Sequence, residues 1–355
     1  MYAVGRELII TQNTGKLTGR IRLFPPDFIV EEIWDNHIYS IKYSRLTRLR
    51  GKFVKFQKQR EYLHFTLVKK NWETIRALNY IRKRLRVSLK RFGIAGMKDK
   101  KAITAQRVSL WKGRAENLAR LNLSDIYLKD FEYADERINL GDALGNRFTI
   151  TIRDIPQNQK EILKRVRFFR KMAVTRGVPN YYGPQRFGGD NTEVGAAIKG
   201  GDLKRAVEIV LKKVQPWIEI GDLEAIPRVF WYEKRIVHHL QQYPNDYAGA
   251  LRKIPKRIRR IYIHAYQSHI FNQKLKQAIT TNHVPSTFTI QGFQIPKMPE
   301  LKAKTIERQT FIIPTDFHIL EVQKDIVKLR FNLRRGEYAT TFLSYLLHQE
   351  ENVTA

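Results

Sequence analysis

Asp99 stands between Lys98 and Lys100 in the stretch GIAGMKDKKAITAQ, residues 93–106. A carboxylate is ionised at neutral pH, and an ionised aspartate can act as a covalent nucleophile. The segment joins two glycines, which allow a tight loop, to a run of lysines suited to a polyanionic substrate. The same composition also suits a surface turn, because Gly and Asp are turn formers. No other motif competes for the chemistry. The chain has no GxxxxGK[ST] phosphate loop, no GxGxxG leading into a helix and no GxSxG elbow. It has no cysteine, which removes disulfides, thiolate nucleophiles and Cys-based zinc sites. Nine histidines occur, none in an HxH or HExxH arrangement, and the side chains of the adjacent His238 and His239 diverge on a helix. No metal and no cofactor is expected.

The elements that must position Asp99 follow from hydrophobic periodicity. GRIRLFPPDFIVEEI (19–33) reads as extended, turn, extended around Pro25-Pro26, and HIYSIKY (37–43) as a further strand. EYLHFTLVKK (61–70) alternates Leu63, Phe65 and Leu67 on one face, as in a strand. Asn71 is then placed to cap a helix on which Trp72, Ile75, Leu78, Ile81 and Leu85 recur at helical spacing. The Asp99 segment follows that helix as a loop entering a strand at 105–111. GNRFTITIRDI (145–155) is a strand, and Gln157 to Thr175 an amphipathic helix on Ile162, Val166, Phe169 and Met172.

RGVPNYYGPQRFGGDN (176–191) is rich in Gly and Pro and marks a junction. Beyond it the pattern is helical over 192–214, 232–243 and 256–279. Strand returns at 325–333, followed by a helix over 339–348. Helical material between two β-rich ends predicts an α+β protein with an inserted domain.

Charge narrows the partner. Lys and Arg number 65 against 34 Asp and Glu, a formal net charge of +31 over 355 residues, with 43% apolar content. That is enough apolar material for real cores, and the positive surplus calls for an anionic partner, nucleic acid first. No apolar run reaches the roughly 20 residues that cross a bilayer. The first residues show neither a basic n-region nor a small-residue cleavage site, so a cytoplasmic protein is expected. RLTRLRGKFVKFQKQR (45–60) holds seven basic residues with Phe53 and Phe56 among them. That pattern fits either a solvated charged face or an arm that stacks on unpaired bases.

KRFGIAGMKDKKAITAQ (90–106) resembles the signature of the TruD family of tRNA pseudouridine synthases, in which a GxAGxKDxxAxTxQ segment carries the catalytic aspartate. Six further stretches resemble family blocks in the family's order: PPDFIVEEI (25–33), FTLVKKNWETIRALNYIRKRL (65–85), LGNRFTI (144–150), GVPNYYGPQRFG (177–188), RRIYIHAYQSHIFNQKL (259–275) and RRGEYATTFL (334–343). Together they cover essentially the whole chain.

The resemblance implies a pseudouridine-synthase catalytic domain with a central, mostly antiparallel sheet, built from 1–180 and 320–355. It implies an inserted, mainly helical TRUD domain over 181–319. The implied reaction isomerises a uridine of tRNA, at position 13, with the base flipped out and no metal, cofactor or protein partner. Asp99 becomes the nucleophile, with attack on the ribose C1′ and on the uracil C6 both open.

By the same resemblance Asn146 is an active-site residue and Phe148 an aromatic that stacks on the target base; an ordinary strand with Phe148 in the core is the alternative. Tyr338 falls where the family carries an aromatic, often Phe. Arg22 and Lys98 are cations that would hold the catalytic carboxylate. Phe28 and Glu32 would support the pocket or act as a buried staple. Asn180, Gln185, Arg186 and Phe187 would orient RNA or fix a hinge, and some of His264, Tyr266, Gln267 and Asn272, on the helix after the basic cluster 251–260, would share a face open to RNA. Two rivals use the same basic surface. One is a non-catalytic RNA-binding or chaperone protein, in which Asp99 is dispensable. The other is a metal-dependent nuclease, which would need an acid pair beside a metal ligand that the chain does not show.

Overall fold

Successive side chains of a strand point to opposite faces, so Phe28, Val30 and Glu32 line one face of their strand. Their partners continue that face: Phe28 lies opposite Ile150, Val30 opposite Phe148, and Glu32 opposite Asn146. In the computed structural model, which describes residues 16–35, 37–43 and 58–348, this register builds the middle of a nine-stranded sheet. Its strands are β1 (Phe28–Trp34), β2 (Tyr62–Lys70), β3 (Phe92–Ile94), β4 (Ile103–Trp111), β5 (Ile126–Ala134), β6 (Gly145–Ile152), β7 (Thr315–Val322), β8 (Val327–Arg334) and the short His37–Ile38. The order is β7-β8-β6-β1-β4-β2-β5, with β3 paired to β4 and His37–Ile38 paired to the end of β1. Only β1 with β4 is parallel; the other pairings are antiparallel.

Two apolar clusters cover this sheet. One gathers Phe28, Val30, Phe148, Ile150, Phe331 and Phe342 with Ile162, Val166 and Phe169 of α2 (Gln159–Thr175). The other gathers Leu63, Phe65, Leu67, Val108 and Leu110 with Ala77, Leu78 and Ile81 of α1 (Thr74–Leu85). Full burial of each such side chain contributes roughly 1.5–3 kcal/mol. The loop that carries Asp99 joins β3 to β4.

Several sequence expectations shift at element ends. Asn71 does not cap α1: β2 pairs as far as Lys70, Asn71 turns the chain at φ +58, and Glu73 occupies the cap position. Trp72 therefore lies before the helix. Asn tolerates the left-handed conformation such a turn needs. The strand expected over 37–43 is reduced to His37–Ile38. The helix expected over 339–348 stops at Leu343, and Leu347–His348 pairs instead with Leu17–Thr18. The basic segment 45–60 lies outside the described residues as far as Gln57.

The described residues divide into two compact units, one drawn from 16–178 and 312–348 and one of 179–311. The first unit resumes at Ile312, ahead of residue 320, because β7 begins at Thr315 and pairs with β8.

The second unit is mainly helical: α3 (Asn191–Gly200), α4 (Leu203–Leu211), α5 (Trp231–Gln242), α6 (Tyr247–Arg252) and α7 (Lys256–Thr280), plus a ribbon of Thr287–Ile290 with Ile306–Gln309. The single helix expected over 192–214 breaks at Gly201, which takes φ +81, and Asp202 then caps α4 by accepting from Arg205 N. Gly195 lets α3 lie against α7, since a Cβ there would stand 2.2 Å from Tyr262 O. No helix among the described residues is long and apolar enough to cross a membrane.

Candidate active site

Three buried side chains pin the backbone of the Asp99 loop. Lys69, at the end of β2 and fully buried, donates from Nζ to Trp72 O at 2.6 Å and to Asp99 O at 2.8 Å. Thr74 Oγ1, in the first turn of α1, accepts from Lys98 N at 3.1 Å. It donates in turn to Gln106 Oε1 at 3.0 Å, and Gln106 Nε2 donates to Gly96 O at 3.0 Å. Buried polar groups must be paired, and each of these three finds one partner in a peptide group of the Asp99 loop. Burial lowers the Lys69 ammonium to about 8, with Lys98 acting the same way and the charges of Asp99 and Glu73 opposing it.

A second network fixes the side chains around the loop. Glu32 on β1 is fully buried. Its Oε1 stands 2.7 Å from Lys98 Nζ, while Oε2 accepts from Arg107 N at 2.8 Å and from Trp34 Nε1 at 2.9 Å. Lys98 Nζ also donates to Asn146 Oδ1 on β6 at 2.7 Å. Glu32 and Asn146 face each other because the β1–β6 register places them opposite. Lys98 closes a triangle between two strands and the loop. A buried pair of this kind contributes little net stability, yet losing either partner strands a charge in the interior.

With its peptide held, Asp99 leaves its carboxylate open to solvent, 42% exposed. Oδ1 accepts from Arg22 Nη2 at 2.8 Å, and among the described residues Oδ2 has no protein partner. Arg22 takes φ +62, a left-handed conformation that costs a side-chain-bearing residue of order 1–3 kcal/mol. Its guanidinium lies over the Phe28 ring, 4.0 Å from the centroid. Phe28 meets Phe148 edge-on at 6.0 Å, and Phe148 stacks on Phe331 at 5.8 Å. The aromatic core thus carries the arginine that carries the carboxylate.

The structure brings Asp99, Arg22, Phe28, Glu32, Lys98 and Asn146 into one constellation. Phe148 belongs to the layer beneath: it is 6% exposed and has ring neighbours in Phe28 and Phe331, which is the core position the strand pattern allowed. Tyr338 precedes the short helix Ala339–Leu343 and is 45% exposed, so burial makes no demand on its hydroxyl.

Gln185 and Arg186 belong to the unit of 179–311. Gln185 is exposed, and Arg186 donates from Nε to Ser268 Oγ at 3.0 Å. Asn180 is buried there, donating from Nδ2 to Gln309 O at 2.9 Å and from its peptide N to Thr310 O at 2.8 Å, with Oδ1 accepting from Arg308. Asn272 holds both peptide groups of Tyr182, and Gln267 donates to Lys304 O. These side chains are taken up by the fold of their own unit. Among the described residues no three His, Asp or Glu side chains stand close enough to hold a metal ion.

Sequence reasoning passed over Lys69, Thr74 and Gln106. The signal was available for two of them. The alternation Leu63, Phe65, Leu67 lands next on Lys69, an inward lysine, and Val108 and Leu110 share their face with Gln106.

Fold and site together describe an α+β protein in which a braced, solvent-open carboxylate sits among cations. Similarity to known proteins says which family builds this. The family model described as tRNA pseudouridine synthase D (TruD) matches residues 3–287. A protein of Methanopyrus kandleri named "Probable tRNA pseudouridine synthase D" is 31% identical, over 81% of this chain and 85% of its own. One of Methanosarcina barkeri with the same name is 32% identical, over 96% and 95%. A crystal structure assigned to TruD of Methanosarcina mazei superposes with a TM-score of 0.72 at 24% identity, covering 98% of this chain and 95% of that one, a likeness of fold. The chain belongs to the TruD family of tRNA pseudouridine synthases, which are isomerases.

Proposed function

We propose that this protein isomerises the uridine at position 13 of tRNA to pseudouridine in the cytoplasm, with Asp99 as the nucleophile. The observation that carries the reading is the Asp99 carboxylate itself. Its peptide is held by buried Lys69, one oxygen is ion-paired to Arg22, and among the described residues the other has no protein partner on a side chain that is 42% exposed. The reaction breaks the bond from ribose C1′ to uracil N1 and forms one from C1′ to C5. N1 gains a proton and C5 loses its hydrogen to solvent. Attack by Asp99 at C1′ or at C6 serves either route, and in both the base must leave the stack to reach the carboxylate.

The other residues serve that step. Arg22 holds the carboxylate in the attacking orientation, and Phe28, resting on Phe148, holds Arg22. Lys98, fixed by Glu32 and Asn146, sets the path of the loop. Tyr338, 45% exposed, supplies the aromatic residue that the family carries at this place. The unit of 179–311 is the inserted TRUD domain, where Gln185 and Arg186 contact RNA.

The test is tritium release from tRNA carrying 5-³H-uridine, without added metal, for wild type and Asp99→Asn. Release by wild type alone, with both proteins binding tRNA, is the expected result. Equal release by both removes Asp99 from the chemistry. No release by either, from tRNA and from total cellular RNA, leaves the binding-protein alternative.

A further inference from the structure

A groove of about 450 Å³ runs along the exposed face of α1, lined by Asn71, Trp72, Arg76, Tyr80, Lys83 and Lys100 among others. Its wall is aromatic: Trp72 and Tyr80 stack with ring centroids 5.5 Å apart and planes 24° from parallel. Its rim is cationic. Arg76, Lys83 and Lys100 are exposed, and none has an ion pair or side-chain hydrogen bond among the described residues. Glu73 is the one acid in the lining. Arg76 and Lys83 are seven residues apart, about 10 Å along the helix axis, a spacing for separate phosphates rather than one. Aromatic faces with interleaved cations suit unpaired nucleotides of any sequence.

The groove is joined to the reacting centre by two links. Lys100 follows Asp99 directly in the chain. Buried Lys69 donates one hydrogen bond to the Trp72 carbonyl in the groove wall and another to the Asp99 carbonyl in the loop. No other described lysine is fully buried. It ties the place where a base would rest to the place where the carboxylate is aimed.

We propose that this groove is a subsite for single-stranded RNA beside the reacting uridine, resting a base on the Trp72–Tyr80 wall and taking phosphates at Arg76, Lys83 and Lys100. It rests on the reading of Asp99 as the centre of a tRNA-modifying site. The groove reads no sequence; it anchors the strand after the base has flipped, and Lys69 transmits that anchoring to the catalytic loop.

Filter binding of transcribed tRNA over a salt series tests it, with tritium release measured on the same proteins. For Arg76→Gln/Lys83→Gln the slope of log Kobs against log salt should fall by about 0.7 for each phosphate that the substitution leaves unneutralised. A control, Arg167→Gln/Lys171→Gln on α2, removes the same charge from exposed positions elsewhere and should keep the wild-type slope. Trp72→Ala should weaken binding about tenfold, and Trp72→Phe should recover most of it. A wild-type slope in Arg76→Gln/Lys83→Gln, or an equal drop in the control, overturns the subsite. Because the binding arm needs no turnover, failure of wild type to release tritium would count against the Asp99 reading alone.

Discussion

The loop around Asp99 and the segment 179–187 look alike as sequence. Each is short, carries glycine, mixes polar with basic residues and lies in a stretch that resembles a family block. The structure treats them in opposite ways. In the first, buried side chains from β2, α1 and β4 satisfy the loop's peptide groups and leave the Asp99 carboxylate open. In the second, the motif's own Asn180 is buried and spends its amide on Gln309 and its oxygen on Arg308. A polar residue is available for chemistry only when other groups have met the backbone's needs. Motif membership does not say which case applies; hydrogen-bond accounting does.

The largest test of that contrast is Asp99→Asn. Tritium release should fall on the order of 10⁴-fold or below detection, with the thermal midpoint unchanged, because the exposed carboxylate carries little of the fold. A midpoint lowered by many degrees would make Asp99 structural and erase the distinction.

Glu32→Gln probes the support instead. It leaves Lys98 buried without its counter-charge, at a cost of about 3–5 kcal/mol in urea unfolding, and activity falls with it. A loss under about 1 kcal/mol would show that the triangle is not what holds the loop.

Arg22→Gly separates orientation from stability. Glycine accepts φ +62 without strain, which offsets the missing ion pair and ring stacking, so stability stays within about 1 kcal/mol of wild type. Activity should fall about 10²-fold. Retained activity would remove Arg22 from the positioning of Asp99.

Asn180→Ala makes the converse point. It leaves the Gln309 carbonyl without its amide donor and removes one of the bonds of the Arg308 guanidinium, which still donates to the Asn180 peptide oxygen, and it costs about 1–3 kcal/mol, measured by urea unfolding. The rate per folded molecule should hold. A rate loss larger than the stability loss would place Asn180 in the chemistry after all.

The most gradual effect is a pH slope. The Lys69 ammonium sits at about 8 in the folded protein, against about 10.4 in an unfolded chain. Between those values the unfolded state binds the extra proton, so this group's penalty is complete below pH 8 and is relieved as pH rises through the window. Stability should gain up to about 1.4 kcal/mol per pH unit from this source. Lys69→Met should lose that slope relative to wild type in urea midpoints between about pH 7.5 and 10. Parallel curves would mean that the buried ammonium is fully compensated by Asp99 and Glu73.

Much of the fold was legible from pattern. Alternation located β2, β6 and β8, and helical spacing located α2 and α7. The element ends were less legible. Asn71 looked like a cap, and only the extension of β2 to Lys70 shows it as a turn. The return to the sheet at Ile312 was missed because β7 is mostly exposed and alternates weakly. In the site, Asp99, Arg22, Glu32, Lys98 and Asn146 were named from resemblance, while Lys69, Thr74 and Gln106 were not, because inward polar residues read as breaks in an apolar pattern.

The sequence by itself determined the α+β class, the order of the blocks, the cationic surplus and the aspartate most worth testing. These depend on residue type and on local period, which a linear string carries. Tertiary structure alone decided that Phe148 lies under Phe28 and that Lys98 joins Glu32 to Asn146. It alone decided that one buried lysine holds both the Trp72 and the Asp99 carbonyls. Those facts depend on strand register and on which groups are shut away from water, and both are set by contacts between residues far apart in the chain.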